Sequence, residues 1–117
     1  MVNAERAKAG LSPLEYYNNG QAAADIRANE VSKKFSHERP DGTTCFTVFE
    51  AAGISYYSAG ENIALGHTTP EIVMNAWMNS QGHKANILNP KFTHIIVGYD
   101  AKTNSWVQLF LGNPYTK

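Results

Sequence analysis

Cysteine is almost absent from this sequence, since Cys45 is the single cysteine among 117 residues. One cysteine excludes an intrachain disulfide and a zinc site built from several thiolates. A small secreted protein held together by disulfides is therefore excluded, whereas export of a domain with a sufficient apolar core is not. Cys45 opens a predicted helix behind Thr44, and its expected role is that of a small buried hydrophobe rather than a thiolate.

The sequence also lacks an excess of charge of either sign, because ten basic residues balance ten acidic residues. No basic patch stands out, so nucleic acid is not an expected partner. No apolar run approaches the roughly 20 residues of a membrane-spanning helix, so no transmembrane segment is expected. A signal peptide is missing as well. Since the chain opens directly in a helix-like pattern at Val2, we expect it to derive from a longer precursor that carried the export signal.

The composition is that of an ordinary globular protein, with 43% hydrophobic and 17% charged residues, which argues against disorder. A chain of this length is expected to form one domain, residues 1–117, that buries roughly two thirds of its unfolded surface. No internal repeat, low-complexity tract or linker divides it.

Helix-start residues mark two predicted helices. Ser12-Pro13-Leu14-Glu15 combines a capping serine, a proline at the first helical position and the acidic residue of a capping box. The helix that follows is predicted to run to about Lys34. Thr69-Pro70-Glu71 gives similar signals for a helix from Pro70 to about Asn79, which Gly82 ends. Shorter helical segments are predicted at residues 2–9, at 45–52 behind a Thr44 cap, and at 86–88.

The tail predicts two strands, residues 93–99 and 105–111, joined by a polar hairpin loop at 100–104. In the second strand both alternating sets of side chains are largely apolar, so both of its faces are expected to be covered. A short strand is predicted at 63–65, after an irregular segment at 54–60. These elements predict an α+β fold in which helices cover both sides of a small antiparallel sheet.

Gly60-Glu61-Asn62-Ile63-Ala64 places an acidic residue at the start of an apolar run. A charged residue is rarely tolerated in a core unless it is paired, so Glu61 either points to solvent or serves a polar site. We predict that His37 and His83, from two other segments, converge with Glu61 on one cleft. Asn62, Asn86 and Gln108 interrupt apolar patterns and are expected to bond loop backbone beside that cleft.

Three interpretations of this cluster stay open. Two imidazoles and a carboxylate form a plausible set of ligands for zinc or another divalent metal. Glu61 could instead orient a histidine from behind, or act as general base on a bound water. The third interpretation is a hydrogen-bond network that only holds loops together. Ser80 near His83 suggests a serine nucleophile, but a serine at a helix end is by default a cap.

Three motifs in this order and spacing resemble the bacterial branch of the CAP superfamily, which comprises cysteine-rich secretory proteins, antigen 5 and plant pathogenesis-related-1 proteins. The motifs are Ser36-His37, Gly60-Glu61-Asn62-Ile63-Ala64, and Trp77-x-x-Ser80-x-Gly82-His83-x-x-Asn86-Ile87-Leu88. The resemblance extends from Asn3-x-x-Arg6 to Trp106-Val107-Gln108-Leu109-Phe110, which is nearly the whole chain.

The resemblance implies a three-layer α-β-α sandwich with a central cleft that carries two histidines and two glutamates. His37 matches the first histidine, Glu61 the glutamate of the glycine-glutamate-asparagine motif, and His83 the second histidine. The second glutamate is missing, because its position holds Ser80. Three of the four polar groups are therefore present.

The same resemblance implies a secreted protein, but the roles of the family are diverse. The first hypothesis is a non-enzymatic extracellular module that binds another protein, a lipid or a cell-wall ligand, with zinc or another divalent metal as the candidate cofactor. The second is a zinc-dependent hydrolase that acts on peptide or cell-wall material. The third, lipid or sterol binding, requires an apolar groove between helices. Fold alone does not select among them.

Overall fold

The structure is a computed structural model that describes residues 1–116, so the predicted domain of residues 1–117 extends one residue past the described part. The helices are α1 (Val2–Lys8), α2 (Gln21–Lys33), α3 (Thr47–Ala51), α4 (Pro70–Met78) and α5 (Gln81–Ile87), with a short 3-10 helix at Asn18–Gly20. The strands are β1 (Glu15–Tyr16), β2 (Ile54–Ser55), β3 (Ser58–Leu65), β4 (His94–Asp100), β5 (Ser105–Gly112) and β6 (Tyr115–Thr116).

Four of the strands form one sheet in the order β1-β4-β5-β3. β5 pairs antiparallel with β3 and with β4, while β1 pairs parallel with β4, with Glu15 opposite His94. β2 and β6 form a separate antiparallel pair. The sheet is therefore mixed rather than purely antiparallel, and the departure from the prediction is confined to the two residues of β1.

Strand β5 is buried along its whole length and separates two apolar cores. One face contributes Val107, Leu109 and Leu111 to the core that contains the alanines of α2, and the other contributes Trp106 and Phe110 to the core beneath α4 and α5. The alternation seen in the sequence is therefore confirmed, and so is the helix–sheet–helix sandwich. Within residues 1–116, no helix is long and apolar enough to cross a bilayer.

The predicted long helix from Ser12 is wrong in its first half. Glu15 donates its backbone N–H to Thr93, and Tyr17 donates to Ile95, so this segment joins the sheet edge instead of a helix. Asn18-Asn19-Gly20 is a poor helix-forming stretch, and α2 begins only at Gln21. Pairing with β4 outweighed the local capping signals of residues 12–15.

Other element boundaries also differ from prediction. The strand predicted at 63–65 is the end of β3, which starts at Ser58, and the segment predicted to be irregular at 54–60 includes β2. Gly82 does not end a helix, because it lies inside α5. Helix α3 begins at Thr47 rather than Cys45, and Thr44 does not cap it. The cap at Thr69 is confirmed, since its side chain accepts from the Ile72 N–H.

Helix α1 is fixed to the rest of the fold by Arg6, whose side chain is buried. The guanidinium donates to the carbonyls of Ser12, Ile87 and Asn89 at 2.8–3.0 Å. Two of these carbonyls lie at the end of α5, where a positive charge is favourable. Arg6 thereby joins α1 to the helix that carries His83.

Candidate functional site

The candidate site is organised around Glu61, which lies in the middle of β3 and is almost fully buried. Its charge is matched by Arg27, a fully buried residue of α2. Arg27 Nε lies 2.7 Å from Oε2 and Arg27 Nη2 lies 3.0 Å from Oε1, so one guanidinium engages both carboxylate oxygens. This two-pronged geometry is the strongest that an arginine–carboxylate pair adopts.

The ion pair determines the protonation state of Glu61. Burial acts to raise the pKa of Glu61, but hydrogen bonds from His37 and Arg27 outweigh burial and hold this pKa below its usual range. Burial likewise acts to lower the pKa of Arg27, and the Glu61 hydrogen bond and charge more than reverse this effect. Both groups are therefore charged at neutral pH, and the carboxylate is stabilised as an anion.

His37 lies in the loop between α2 and α3 and bonds the same carboxylate from the solvent side. Its Nδ1 is 2.9 Å from Glu61 Oε1, and its side chain is 60% exposed. An ionised carboxylate only accepts hydrogen bonds, so Nδ1 carries the proton and donates it. The hydrogen bond to Glu61 raises the pKa of His37, and in the neutral ring the exposed Nε2 keeps a free lone pair.

The loop that presents His37 is held by a second ion pair. Arg39 Nε and Nη2 contact the carboxylate of Glu30 at 2.8–3.0 Å, and Arg27 Nη1 contacts the same carboxylate at 2.9 Å. Arg27 also donates to the carbonyl of Ser36, the residue before His37. The two arginines thus fix both the buried carboxylate and the loop that covers it.

His83, on α5, makes a different set of contacts. Its Nδ1 lies 2.9 Å from Ser80 Oγ, and within residues 1–116 its ring makes no hydrogen bond to Glu61. Burial and the nearby charge of His37 lower the pKa of His83. Of the two histidines, only His37 contacts the carboxylate, and the group of ligand atoms that lie within 4.8 Å of one another around Glu61 does not include His83. Ser80 occupies the position before α5, yet its hydroxyl binds His83 instead of capping a backbone N–H.

Three side-chain amides connect the strands and α5 behind the site. Asn86 Nδ2 donates to the Glu61 carbonyl at 3.2 Å and to Asn62 Oδ1 at 2.9 Å. Asn62 Nδ2 donates in turn to the His83 carbonyl at 3.1 Å and to Gln108 Oε1 at 3.2 Å. The prediction that these amides bond loop backbone is wrong, because Asn86 and Asn62 bond backbone carbonyls of β3 and α5, and Gln108 bonds only side chains.

Cys45 is a neighbour of the site that the sequence did not assign to it. Ligand atoms of His37, Cys45 and Glu61 lie within 4.8 Å of one another, so this group could hold a metal ion. Burial raises the pKa of Cys45 to about 12, which keeps the thiol protonated. Cys45 also lies before the start of α3 at Thr47, so the helix start that would favour a thiolate is not at this residue.

Arg27 is the other residue that sequence reasoning missed. Its position in the sequence indicates a buried side chain. Arg27 lies three residues after Ala24 and four before Val31, on the face of α2 that packs against the sheet. A charged residue on an apolar face requires a buried partner. Glu61, in an apolar strand, also requires a partner of opposite charge, so the sequence is compatible with a buried pair of Arg27 and Glu61.

The pKa shift of His37 predicts a pH-dependent stability. A raised pKa in the folded state gives a stabilisation that is complete below the unfolded value of about 6.5 and is lost as pH rises through the folded value. Wild type should therefore gain stability over His37→Asn when pH falls from 8.5 to 5.5. Urea unfolding with a chelator present measures this, with His67→Asn as the control. A difference that does not vary with pH would contradict the role of the His37–Glu61 contact.

Three comparisons place the chain among known proteins. The family model described as "CAP: Cysteine-rich secretory protein family" matches residues 1–111. The uncharacterized protein YkwD of Bacillus subtilis is 46% identical over 114 residues, which are 96% of this chain and 44% of YkwD. The chain spans less than half the length of the curated relatives it matches.

Solved structures give the same fold. An extracellular protein containing a SCP domain from Bacillus anthracis superposes with a TM-score of 0.88 at 29% identity, over 96% of this chain and 38% of that one. An outer surface protein from Borrelia burgdorferi superposes with a TM-score of 0.80 at 22% identity, over 95% of this chain and 86% of that one. The second likeness shows the fold alone.

Proposed function

The chain belongs to the cysteine-rich secretory protein (CAP) family, and from this premise we propose that it is an extracellular binding module rather than an enzyme. The observation that carries the proposal is the engagement of both Glu61 oxygens by Arg27. A carboxylate held in this way, with a lowered pKa, is a poor general base. The groups left free to meet a ligand are the outer nitrogens of His37 and His83.

The two side chains that could act as nucleophiles near the site, those of Cys45 and Ser80, also support the non-enzymatic interpretation. The Cys45 thiol is protonated at neutral pH because its pKa is about 12. Ser80 Oγ bonds His83 Nδ1, but no carboxylate contacts that histidine ring within residues 1–116, so the arrangement lacks the third group of a catalytic triad. A zinc-dependent hydrolase needs no nucleophile from the protein, and it is the weaker candidate because Glu61, held by Arg27, is a poor general base for a metal-bound water.

The ligand we propose for the site is a divalent metal, with zinc as the first candidate. Imidazole nitrogens suit zinc, and a histidine whose Nδ1–H donates to a carboxylate presents Nε2 as the metal-binding atom. His37 has this arrangement with Glu61 behind it, and a proton on Nδ1 of His83, donated to Ser80, would free its Nε2 in the same way. When bound, the metal would supply an open coordination position for an oxygen of a partner molecule.

Direct coordination by Glu61 and Cys45 is less favourable than binding by the two imidazoles. The guanidinium of Arg27 lies within 3.0 Å of both Glu61 oxygens, so a metal there would face a fixed positive charge. The thiol of Cys45 would also have to lose its proton in a buried position. In this proposal Glu61 orients His37 and does not bind the metal itself.

An extracellular location is supported by what is said of one similar protein. The Bacillus anthracis protein, which is 29% identical, is described as extracellular. The transfer of that location to this chain is part of the proposal. A partner of the module would then be another extracellular protein, a lipid or a cell-wall component.

Zinc titration by calorimetry at pH 7.5 tests the metal proposal. We expect saturable binding by wild type and its loss in both His37→Ala and His83→Ala. Glu61→Gln should weaken binding about 10- to 100-fold, the range found when the partner that orients a metal-binding histidine is removed. His94→Ala, which alters a histidine of β4, is the matched control and should bind like wild type. Absence of heat in wild type, or undiminished binding by His37→Ala, would contradict the proposal.

A second candidate function, lipid binding, is favoured by a separate observation. An apolar cavity of ≈ 290 Å³ lies between α1, α4 and the sheet. We call it the α1–α4 groove; its lining includes Val2, Pro70, Val73, Trp77, Trp106 and Gln108. Its size is at the lower end of the range for small-molecule sites, about 300–1,000 Å³. Quenching of tryptophan fluorescence by short-chain apolar ligands tests whether the groove accepts them.

A further inference from the structure

We propose that Gln108 is the specificity-determining residue of the α1–α4 groove and that it selects neutral apolar ligands with a hydrogen-bond acceptor at the buried end. A ketone, ester or amide carbonyl would satisfy this requirement. The inference rests on the second candidate function, because it presupposes that the groove takes a ligand. It is independent of metal binding at His37 and His83.

The orientation of the Gln108 amide follows from two backbone carbonyls. The Glu61 carbonyl can only accept, so the Asn86 atom that bonds it is the amide nitrogen. The same nitrogen also bonds Asn62, so the Asn62 atom on that side is the acceptor Oδ1. The His83 carbonyl accepts from Asn62 Nδ2, and the same nitrogen donates to Gln108 Oε1. Since its oxygen faces Asn62, the Gln108 nitrogen is directed to the other side, beside Met74 in the lining of the groove.

This nitrogen lacks an adequate acceptor. Gln108 is 4% exposed, and within residues 1–116 the sole acceptor of its Nε2 is Met74 Sδ, at 3.8 Å. A side-chain amide carries two N–H donors, and a thioether sulfur is a weak acceptor. Buried polar groups are normally hydrogen-bonded, so at least one N–H is available to a ligand in the groove.

The other lining residues restrict the chemistry of the ligand. No lysine, arginine or histidine lines the groove within residues 1–116. A carboxylate brought to Gln108 would lose its hydration without gaining a counter-charge from a side chain, which is costly. Among the described lining residues the other side-chain amide is that of Asn3, which is exposed and exchanges two hydrogen bonds with Leu14. The donor pattern therefore favours a neutral acceptor over a charged one.

Fluorescence titration tests this inference, because Trp77 and Trp106 are the two tryptophans of the chain and both line the groove. The probes are 2-octanone, its near-isostere 2-methyl-1-octene, which has a methylene in place of the oxygen, and octanoate. We expect wild type to bind the ketone about tenfold more tightly than the alkene, a ratio that corresponds to one hydrogen bond. Octanoate should bind more weakly than the ketone.

Two variants separate the role of Gln108 from a general effect on the groove. Gln108→Leu should bind the ketone no more tightly than the alkene, because the ketone oxygen would be buried without a donor, while the affinity for the alkene stays within about threefold of wild type. Gln81→Leu, the same change at an exposed glutamine outside the groove, should keep the tenfold ratio. Equal binding of ketone and alkene by wild type overturns the inference and needs no variant, but it leaves lipid binding intact. A ratio that persists in Gln108→Leu also overturns it. If no probe binds, the groove itself is rejected as a site.

Discussion

Replacing Arg27 with methionine is expected to lower the free energy of unfolding by about 3–5 kcal/mol, the usual cost of removing one partner from a buried ion pair. Arg27 is fully buried and its guanidinium contacts both oxygens of Glu61. Without it, the carboxylate stays in the core with His37 as its remaining strong donor. Urea unfolding at pH 7 measures the change, provided that the slope with denaturant is that of wild type.

Two comparisons identify the uncompensated charge as the cause. The double variant Arg27→Met, Glu61→Gln should recover part of the loss, because a neutral amide is less costly to bury than an unpaired carboxylate. Lys34→Met is the matched control, since its pair with Glu38 is 43% and 55% exposed and should contribute at most about 1 kcal/mol. If Arg27→Met cost no more than Lys34→Met, the ion pair would not be a main support of the site.

The parts of the fold that could be predicted from the sequence depend on neighbouring residues. The alternation in β5 is a property of one strand, and burial of both faces required only apolar side chains on each. The start of α4 was predictable because the Thr69 hydroxyl bonds a backbone N–H three residues away. The start of α4 is determined by a contact between residues close in sequence. The burial of β5 requires only the side-chain pattern that any strand covered on both faces has.

The parts that could not be predicted depend on distant contacts. The segment at Glu15 carries capping signals, but its backbone pairs with Thr93 and joins the sheet. Arg27 and Glu61 are 34 positions apart, and the residues around either one do not identify the other as its partner. The order and spacing of the motifs, which resemble those of a family, predicted that Glu61 and His37 share one site. The burial of Arg27 was not predicted, because it depends on how α2 packs against the sheet.

The closeness of α2 to the sheet links the fold to the site. Gly98 of β4 lies directly beneath α2, and an added Cβ would lie 2.3 Å from the Ala24 carbonyl oxygen. Glycine permits this approach because it has no side chain. Arg27 is one helical turn beyond Ala24, so the spacing between α2 and β4 also sets how deeply the guanidinium reaches toward Glu61.

Gly98→Ala is therefore expected to destabilise the protein by about 1–3 kcal/mol or more, because the new methyl group would overlap backbone atoms of α2 that cannot rotate away. Gly82→Ala is the matched control, since its Cβ would meet nothing within 4 Å inside α5. Alanine favours a helix more than glycine does, so this change should be neutral or stabilise by up to about 1 kcal/mol. Urea unfolding of both variants measures these changes. If Gly98→Ala were as stable as wild type, the close approach of α2 to β4 at Gly98 would not be required for stability. The position of the Arg27 guanidinium beside Glu61 would then have another cause.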